Sequence, residues 1–207
     1  GAKYANRFAC IPATTQYRSP QKTEKHQIAS IQTAIVVGPS GEEIYTDKYG
    51  RVKVQFNWDR LGKYDENSSC WMRTMQPWTG VSWGQVWIPR IGQEVVVGFL
   101  ESDPDRPVIL GCLYNEDLPA PYSLPGNMTR SGVKTRSSKN GGPQNFNELR
   151  FEDLKGEELV LLHAERDLDV SVERDKNEKI ERDRNEKVER HHTERVDGDY
   201  HLDIGGE

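Results

Sequence analysis

The sequence predicts an all-β protein. An OB-like barrel comes first, followed by a strand hairpin and an intertwined, trimeric, triple-stranded β-helix or prism. Three observations carry this reading. Residues 28–118 hold short apolar runs of strand length, punctuated by Gly, Pro and Asp. Residues 119–144 are rich in Pro, Gly and Ser and break the chain in two. Beyond them a single branched apolar residue recurs every eighth position, at Val172, Ile180, Val188, Val196 and Ile204, in a stretch that is otherwise almost entirely charged.

The chain has 207 residues, enough for one or two domains with a real core. It is 34% hydrophobic and 29% charged, a polar balance that conceals a break in composition. All five Trp lie within residues 28–118, whereas residues 164–207 carry fifteen acids and nine bases with few apolar side chains. No apolar run reaches transmembrane length, and no signal-peptide pattern is visible. Cys10, Cys70 and Cys112 are odd in number and lie in neither CxxC nor CxxH spacing. They fit reduced thiols better than a disulfide framework or a structural zinc site.

Residues 31–118 read as the barrel. RVKVQF (51–56) alternates Val52, Val54 and Phe56 with Arg51, Lys53 and Gln55, the pattern of a half-buried strand. DKYG (47–50) is a turn expected to pair that strand with one near Ile44. CWMRTMQ (70–76), GQVWIP (84–89), QEVVVGFL (93–100) and RPVILGCLY (106–114) complete five or six strands, the count of a small OB-like barrel. Such a barrel admits a second functional class, a ligand- or nucleic-acid-binding adaptor module. The charge opposes it, because residues 36–118 hold twelve acids and eight bases, and a surface that displaces counterions from phosphates should be basic. Trp58, Trp71, Trp78, Trp83 and Trp87 therefore read as core or subunit-contact residues rather than base-stacking platforms. Residues 119–146 read as a connecting loop. NELRFED (147–153), a turn at Lys155–Gly156 and the strand from Glu157 form a hairpin that opens the needle region, 147–207.

The octads decide the architecture. From Val172 to Val196, sixteen of twenty-five residues are charged, eight of each sign. A helix turns about 100° per residue, so a period of eight drifts about 80° at each step and leaves no apolar seam. A coiled coil needs a repeat near 3.5. Eight is even, so in extended chain every repeat falls on one face. Leu168 and Val170 share that parity. Turn-forming Gly, Asp and Asn recur at fixed offsets (Gly198, Asp175, Asp183, Asp199, Asn177, Asn185), which gives a bend per unit and a solenoid pitch. One strand of this kind leaves both edges unpaired and cannot offset the ordering of thirty-three residues with five small side chains. Three chains wound together solve both problems, with Val172, Ile180, Val188, Val196 and Ile204 as the trimer core.

Side chains with chemical potential carry little. Glu101, Asp103 and Asp105 sit in an Asp-Pro turn rather than in a hydrolytic pair. His191–His192 offers ligands on a threefold axis, but no metal is expected. His163 and Ser171 have no nucleophile–base spacing, and no phosphate loop or triad is present. Neither a catalytic residue nor a cofactor is expected, and the chain reads as no enzyme.

TDKYGRVKVQFNWDRLGKYDENSSCWMRTMQPWTG, WGQVWIPRIGQEVVVGFLESDPDRPVILGCLYN and NFNELRFEDLKGEELVLLHAERDLDV resemble the VgrG spike proteins of bacterial type VI secretion, relatives of the needle of contractile-tailed phages. Val196–Gly198 and Ile204–Gly206 match the family's Val-Gly repeat, and NRFACIPA (6–13) resembles the segment that leaves its hub domain, which implies that residues 1–30 are the tail end of a truncated hub domain. The resemblance implies a homotrimer that pierces a target envelope and delivers effectors. It also implies contacts with a tail-tube protein, a cone-shaped tip protein and effectors, transient passage through the target membrane, and no nucleic acid. The location implied is the bacterial cytoplasm before firing, then secretion or injection without a signal peptide. The start at Gly1 and the stop inside a repeat read as truncation at both ends.

Overall fold

A computed structural model describes residues 1–205. Gly206, the glycine of the last Val-Gly repeat, lies outside the described residues. The chain divides into two compact units, Gly1–Arg166 and Asp167–Glu207.

The first unit contains a five-stranded sheet. Its strands are β1 (Gln32–Val37), β2 (Lys53–Phe56), β3 (Arg73–Thr74), β4 (Glu94–Phe99) and β5 (Pro107–Leu113), in the order β2-β1-β4-β5-β3. All pairings are antiparallel except β3 with β5. Val52 and Met72, beside the two edge strands, bridge antiparallel through both backbone hydrogen bonds. The sheet thus curls on itself into the small barrel expected of an OB-like fold. Alternation in the strands sends Ala34, Val36, Val52, Val54, Val95, Val97 and Ile109 into a core where each is fully buried. Gln55, read as a solvent-facing position, is also fully buried. Its amide donates to the Phe56 and Asp59 carbonyls and so anchors the loop after β2.

Three local expectations change. The strand near Ile44 does not form. Asp47 instead closes the 47–50 turn, accepting from the backbone N–H of Tyr49 and Arg51 and from the Arg51 guanidinium, and β2 pairs with β1. GQVWIP is not a strand; only Gly84 bridges, to Thr79. The 119–146 stretch, expected as a loop, contributes β6 (Arg130–Lys134). Its five residues are all exposed and lack apolar alternation, so the sequence carried no strand signal there. Gly132 makes β6 feasible: at φ 156° it lies so close to the Leu149 carbonyl that a Cβ would sit 2.3 Å from the oxygen.

β6 pairs with β7 (Glu148–Glu152), and β7 with β8 (Leu159–His163), both antiparallel. The hairpin between β7 and β8 turns at Gly156, φ 89°. Among the described residues of the second unit there is no strand ladder and no helix.

Candidate trimerisation surface

The octads are not irregular. Bends fall at Glu165–Arg166, Glu173–Arg174, Glu181–Arg182, Glu189–Arg190 and Asp197–Gly198, eight residues apart each time. Between the bends the chain forms neither a helix nor a strand ladder. The bends at Arg174, Arg182 and Arg190 form without the glycine that Gly198 supplies, so the pitch belongs to the whole repeat.

Charge follows the same pitch. Lys176–Glu178 (3.2 Å) recurs as Arg184–Glu186 (3.3 Å). Lys179–Glu181 (2.5 Å) recurs as Lys187–Glu189 (3.0 Å) and Arg195–Asp197 (2.8 Å). Arg174–Asp175 (3.1 Å) recurs as Arg182–Asp183 (3.0 Å). Most partners are two apart, where an extended chain places both side chains on one face. Each such exposed pair contributes about 0–1 kcal/mol.

Within one chain the apolar column has no cover. Val172, Ile180, Val188 and Val196 retain 45–48% exposure and Ile204 retains 77%. A feature the eight-residue spacing alone did not bring out lies two residues earlier. Glu178 and Glu186 have side chains 43% and 49% exposed, against 80% and 79% for Glu181 and Glu189. The parity of the sequence contained the signal, since Val170, Glu178, Glu186, Glu194 and Leu202 also repeat by eight. The column's face therefore carries carboxylates between its Val and Ile positions.

The β6–β7–β8 sheet has two unlike faces. Cross-strand neighbours Val133, Leu149 and Leu162 form one apolar row, and Phe151 with Val160 forms the next, all exposed. On the opposite face Glu148, Arg150 and Glu152 of β7 lie between Arg130, Gly132 and Lys134 of β6 and Leu159, Leu161 and His163 of β8. Glu148 is buried, accepts from the Tyr122 hydroxyl at 3.0 Å and faces Arg150 at 3.5 Å. Burial, with Glu148 beside it, raises the Tyr122 hydroxyl above its ordinary pKa. Glu152 accepts from the Thr129 hydroxyl and from Arg130, and both hold its carboxyl below the usual range. A sheet that leaves these aromatic and aliphatic rows open is built to meet another surface.

The remaining candidate side chains have the following neighbours. Lys25 reaches Asp103 (2.6 Å) and Asp105 (2.8 Å), and Arg106 reaches Glu101 (2.6 Å). The Lys25 hydrogen bond holds the Asp103 carboxyl low, the opposite of what a proton-donating acid needs. His192 Nδ1 lies 3.3 Å from Glu186. His163 Nδ1 lies 3.0 Å from the Phe146 carbonyl, with its ring against Phe146. Trp58, Trp78, Trp83 and Trp87 are exposed, which removes the core half of their expected role.

Residues 33–114 match the type VI secretion system/phage-baseplate injector OB domain, and residues 131–207 match the bacteriophage T4 gp5 C-terminal trimerisation domain. An injector-type OB domain followed by a gp5-type trimerisation domain is the domain order that these two matches give the chain. The chain is 55% identical over 172 residues to the type VI secretion system spike protein VgrG1c of Pseudomonas aeruginosa, covering 83% of this chain and 24% of the relative. VgrG1b of the same organism is also 55% identical over 172 residues, 83% of this chain and 23% of the relative. VgrG3 of Vibrio cholerae is 45% identical over 169 residues, 82% of this chain and 16% of the relative. Over most of its length the chain is similar to the VgrG spike proteins of type VI secretion. It spans about a quarter or less of the length of these relatives.

Proposed function

We propose that this chain is the barrel-and-needle segment of a homotrimeric puncturing spike at the tip of a type VI secretion apparatus. It pierces a target envelope and delivers effectors. The eight-residue bend pitch within a matched trimerisation domain carries this reading, because a solenoid strand with an uncovered apolar column is completed by copies of itself. Val172, Ile180, Val188, Val196 and Ile204 form the axial core. Residues 31–118 act as the adaptor barrel and 147–207 as the needle, with 1–30 leaving a hub and 119–146 connecting the two. The work is mechanical, and this segment carries no catalytic step. A tail-tube protein, a cone-shaped tip protein and effectors are its partners. It resides in the bacterial cytoplasm before firing and is then secreted or injected into the target cell.

Winding makes the trimer kinetically stable, since three crossing chains separate only by unwinding. The test is sedimentation at micromolar concentration together with unheated SDS gels. A trimer in both is the expected result, and a monomer in sedimentation overturns the proposal. A low-salt nucleic-acid binding assay addresses the adaptor alternative, and no binding is expected.

A further inference from the structure

Residues 74–89 contain no Asp, Glu, Lys or Arg, in a chain that is 29% charged, and they hold three of its five tryptophans. This segment is an ordered hairpin. Thr79 and Gly84 bridge antiparallel, the Gly80 N–H donates to the Trp83 carbonyl at 2.9 Å, and the Gln85 N–H donates to the Trp78 carbonyl at 3.0 Å. At its base the Gln76 amide clamps Trp87, donating to its carbonyl (3.0 Å) and accepting from its N–H (2.8 Å). Two glycines are needed. A Cβ on Gly80 would sit 2.1 Å from the Trp83 indole. Gly84, at φ 130°, would place a Cβ 2.5 Å from the Trp78 carbonyl oxygen. The Trp78 and Trp83 rings meet edge-on at 5.0 Å. All this order presents apolar groups outward: Met75, Trp78, Val81, Trp83, Val86 and Trp87 are exposed.

We propose that this hairpin is a subunit contact whose occupant is a second copy of the chain, its neighbour in the threefold assembly. The proposal rests on the trimer reading above and adds a second contact to it, on the barrel side of the molecule. Depletion of charge with enrichment in Trp and Met is the composition of an interface centre. Isolated hairpins are marginal in water, so one held by a glutamine clamp and two glycines to display tryptophans is shaped for a surface that covers it. The second copy is favoured by placement. The compact unit Gly1–Arg166 contains the hairpin and also residues 131–166 of the trimerisation match. Trimerisation therefore brings three hairpins and three barrels to high local concentration. A threefold ring closes through unlike patches, and a projecting arm meeting a different patch on its neighbour is such a contact. A lipid surface fits less well: the chain's formal net charge is −5, and the hairpin lacks the Lys and Arg of interfacial membrane elements.

Oxidative footprinting of Met75, Trp78 and Trp83 by mass spectrometry tests this on the full chain. The wild type, shown to be trimeric by sedimentation, is expected to be oxidised several-fold more slowly at these residues than monomeric Val188→Asp. Val81→Asp, at the hairpin tip, is expected to keep the trimer mass while its footprint rises to the monomer rate. This second variant keeps the test decisive should Val188→Asp fail to fold. A wild-type trimer oxidised as fast as the monomer overturns the proposal. So does protection that appears only on adding phosphatidylglycerol vesicles, which would assign the hairpin to a membrane. A wild type that sediments as monomer overturns the trimer reading and this contact together, and the mass alone tells that case apart.

Discussion

The barrel and the octads use the same strand chemistry and close it differently. In the barrel, seven apolar residues from Ala34 to Ile109 are fully shielded by their own chain. In the octads every described residue from 167 onward is exposed, including the column that repeats most regularly. The barrel strands pair with one another, and the curl brings Val52 to Met72, so the core is complete in one chain. The octads have period without ladder. Their bends and ion pairs set the pitch, and nothing inside the chain buries the apolar side. Regular local structure and self-sufficient stability are thus separate properties. The first follows from spacing, the second from what lies across the core.

The comparison is broken most severely at Val188. Val188→Asp is expected to turn the trimer into monomer, because three carboxylates would share one axial level with no counter-charge at that position. The effect is several kcal/mol per buried charge. The barrel should still unfold cooperatively, since it owes nothing to the column. Sedimentation read beside near-UV circular dichroism checks both halves, and loss of the barrel signal along with the trimer would show that the two regions are one folding unit.

The converse change is Ile109→Ala. Ile109 is fully buried in the barrel, and truncation leaves a cavity worth roughly 2–5 kcal/mol. Thermal unfolding of the barrel should fall accordingly while the mass stays trimeric. A shift to monomer would mean that the barrels, not the octads, hold the assembly.

Legibility in the sequence divides along the same line. Alternation in RVKVQF and QEVVVGFL placed β2 and β4, and the eight-residue spacing set the pitch of the bends. Buried Gln55 was misread as a surface position, because period two assigns a face but not what folds over it. The loop at Asp59 comes back to cover that face. β6 was invisible because RSGVK lacks apolar alternation and its pairing depends on the close approach at Gly132. The tryptophan hairpin was half legible. Its lack of charge stands in the sequence, but only the clamp from Gln76 shows that it is ordered.

Acid sharpens the contrast more gently. Hydrogen bonds from the Arg51 side chain, then from the backbone N–H groups of Arg51 and Tyr49, hold the Asp47 carboxyl below its ordinary value. A carboxylate depressed on folding contributes stability above the unfolded pKa, near 4, and loses it as pH falls through that value toward the folded one. Asp47→Asn should therefore destabilise the barrel at neutral pH, and the gap from wild type should narrow below about pH 4. Denaturant melts at neutral and acid pH measure this. A gap that does not depend on pH would mean that Asp47 acts through turn shape alone.

The smallest effect is the most diagnostic of the strand reading. Glu189 adjoins Val188 but has the opposite parity, and its side chain is 79% exposed in an ion pair with Lys187. Glu189→Gln removes one charge from an exposed pair between residues two apart, which is worth about 0.5 kcal/mol or less. It also keeps an amide that can still accept from Lys187. If the octads are extended chain with one inward face, this variant should keep the trimer, its SDS resistance and its melting point within a degree or so. Glu186→Gln, on the column's parity and half-exposed, should shift the melt more, in a direction set by whether its carboxylate finds Arg184 or another cation in the assembly. Melting the two variants beside Val188→Asp gives an order of sensitivity along the strand: column, same-parity carboxylate, opposite-parity carboxylate. An equal response at Glu189 and Val188 would remove the parity argument and with it the axial core, even if the chain proved trimeric by another surface.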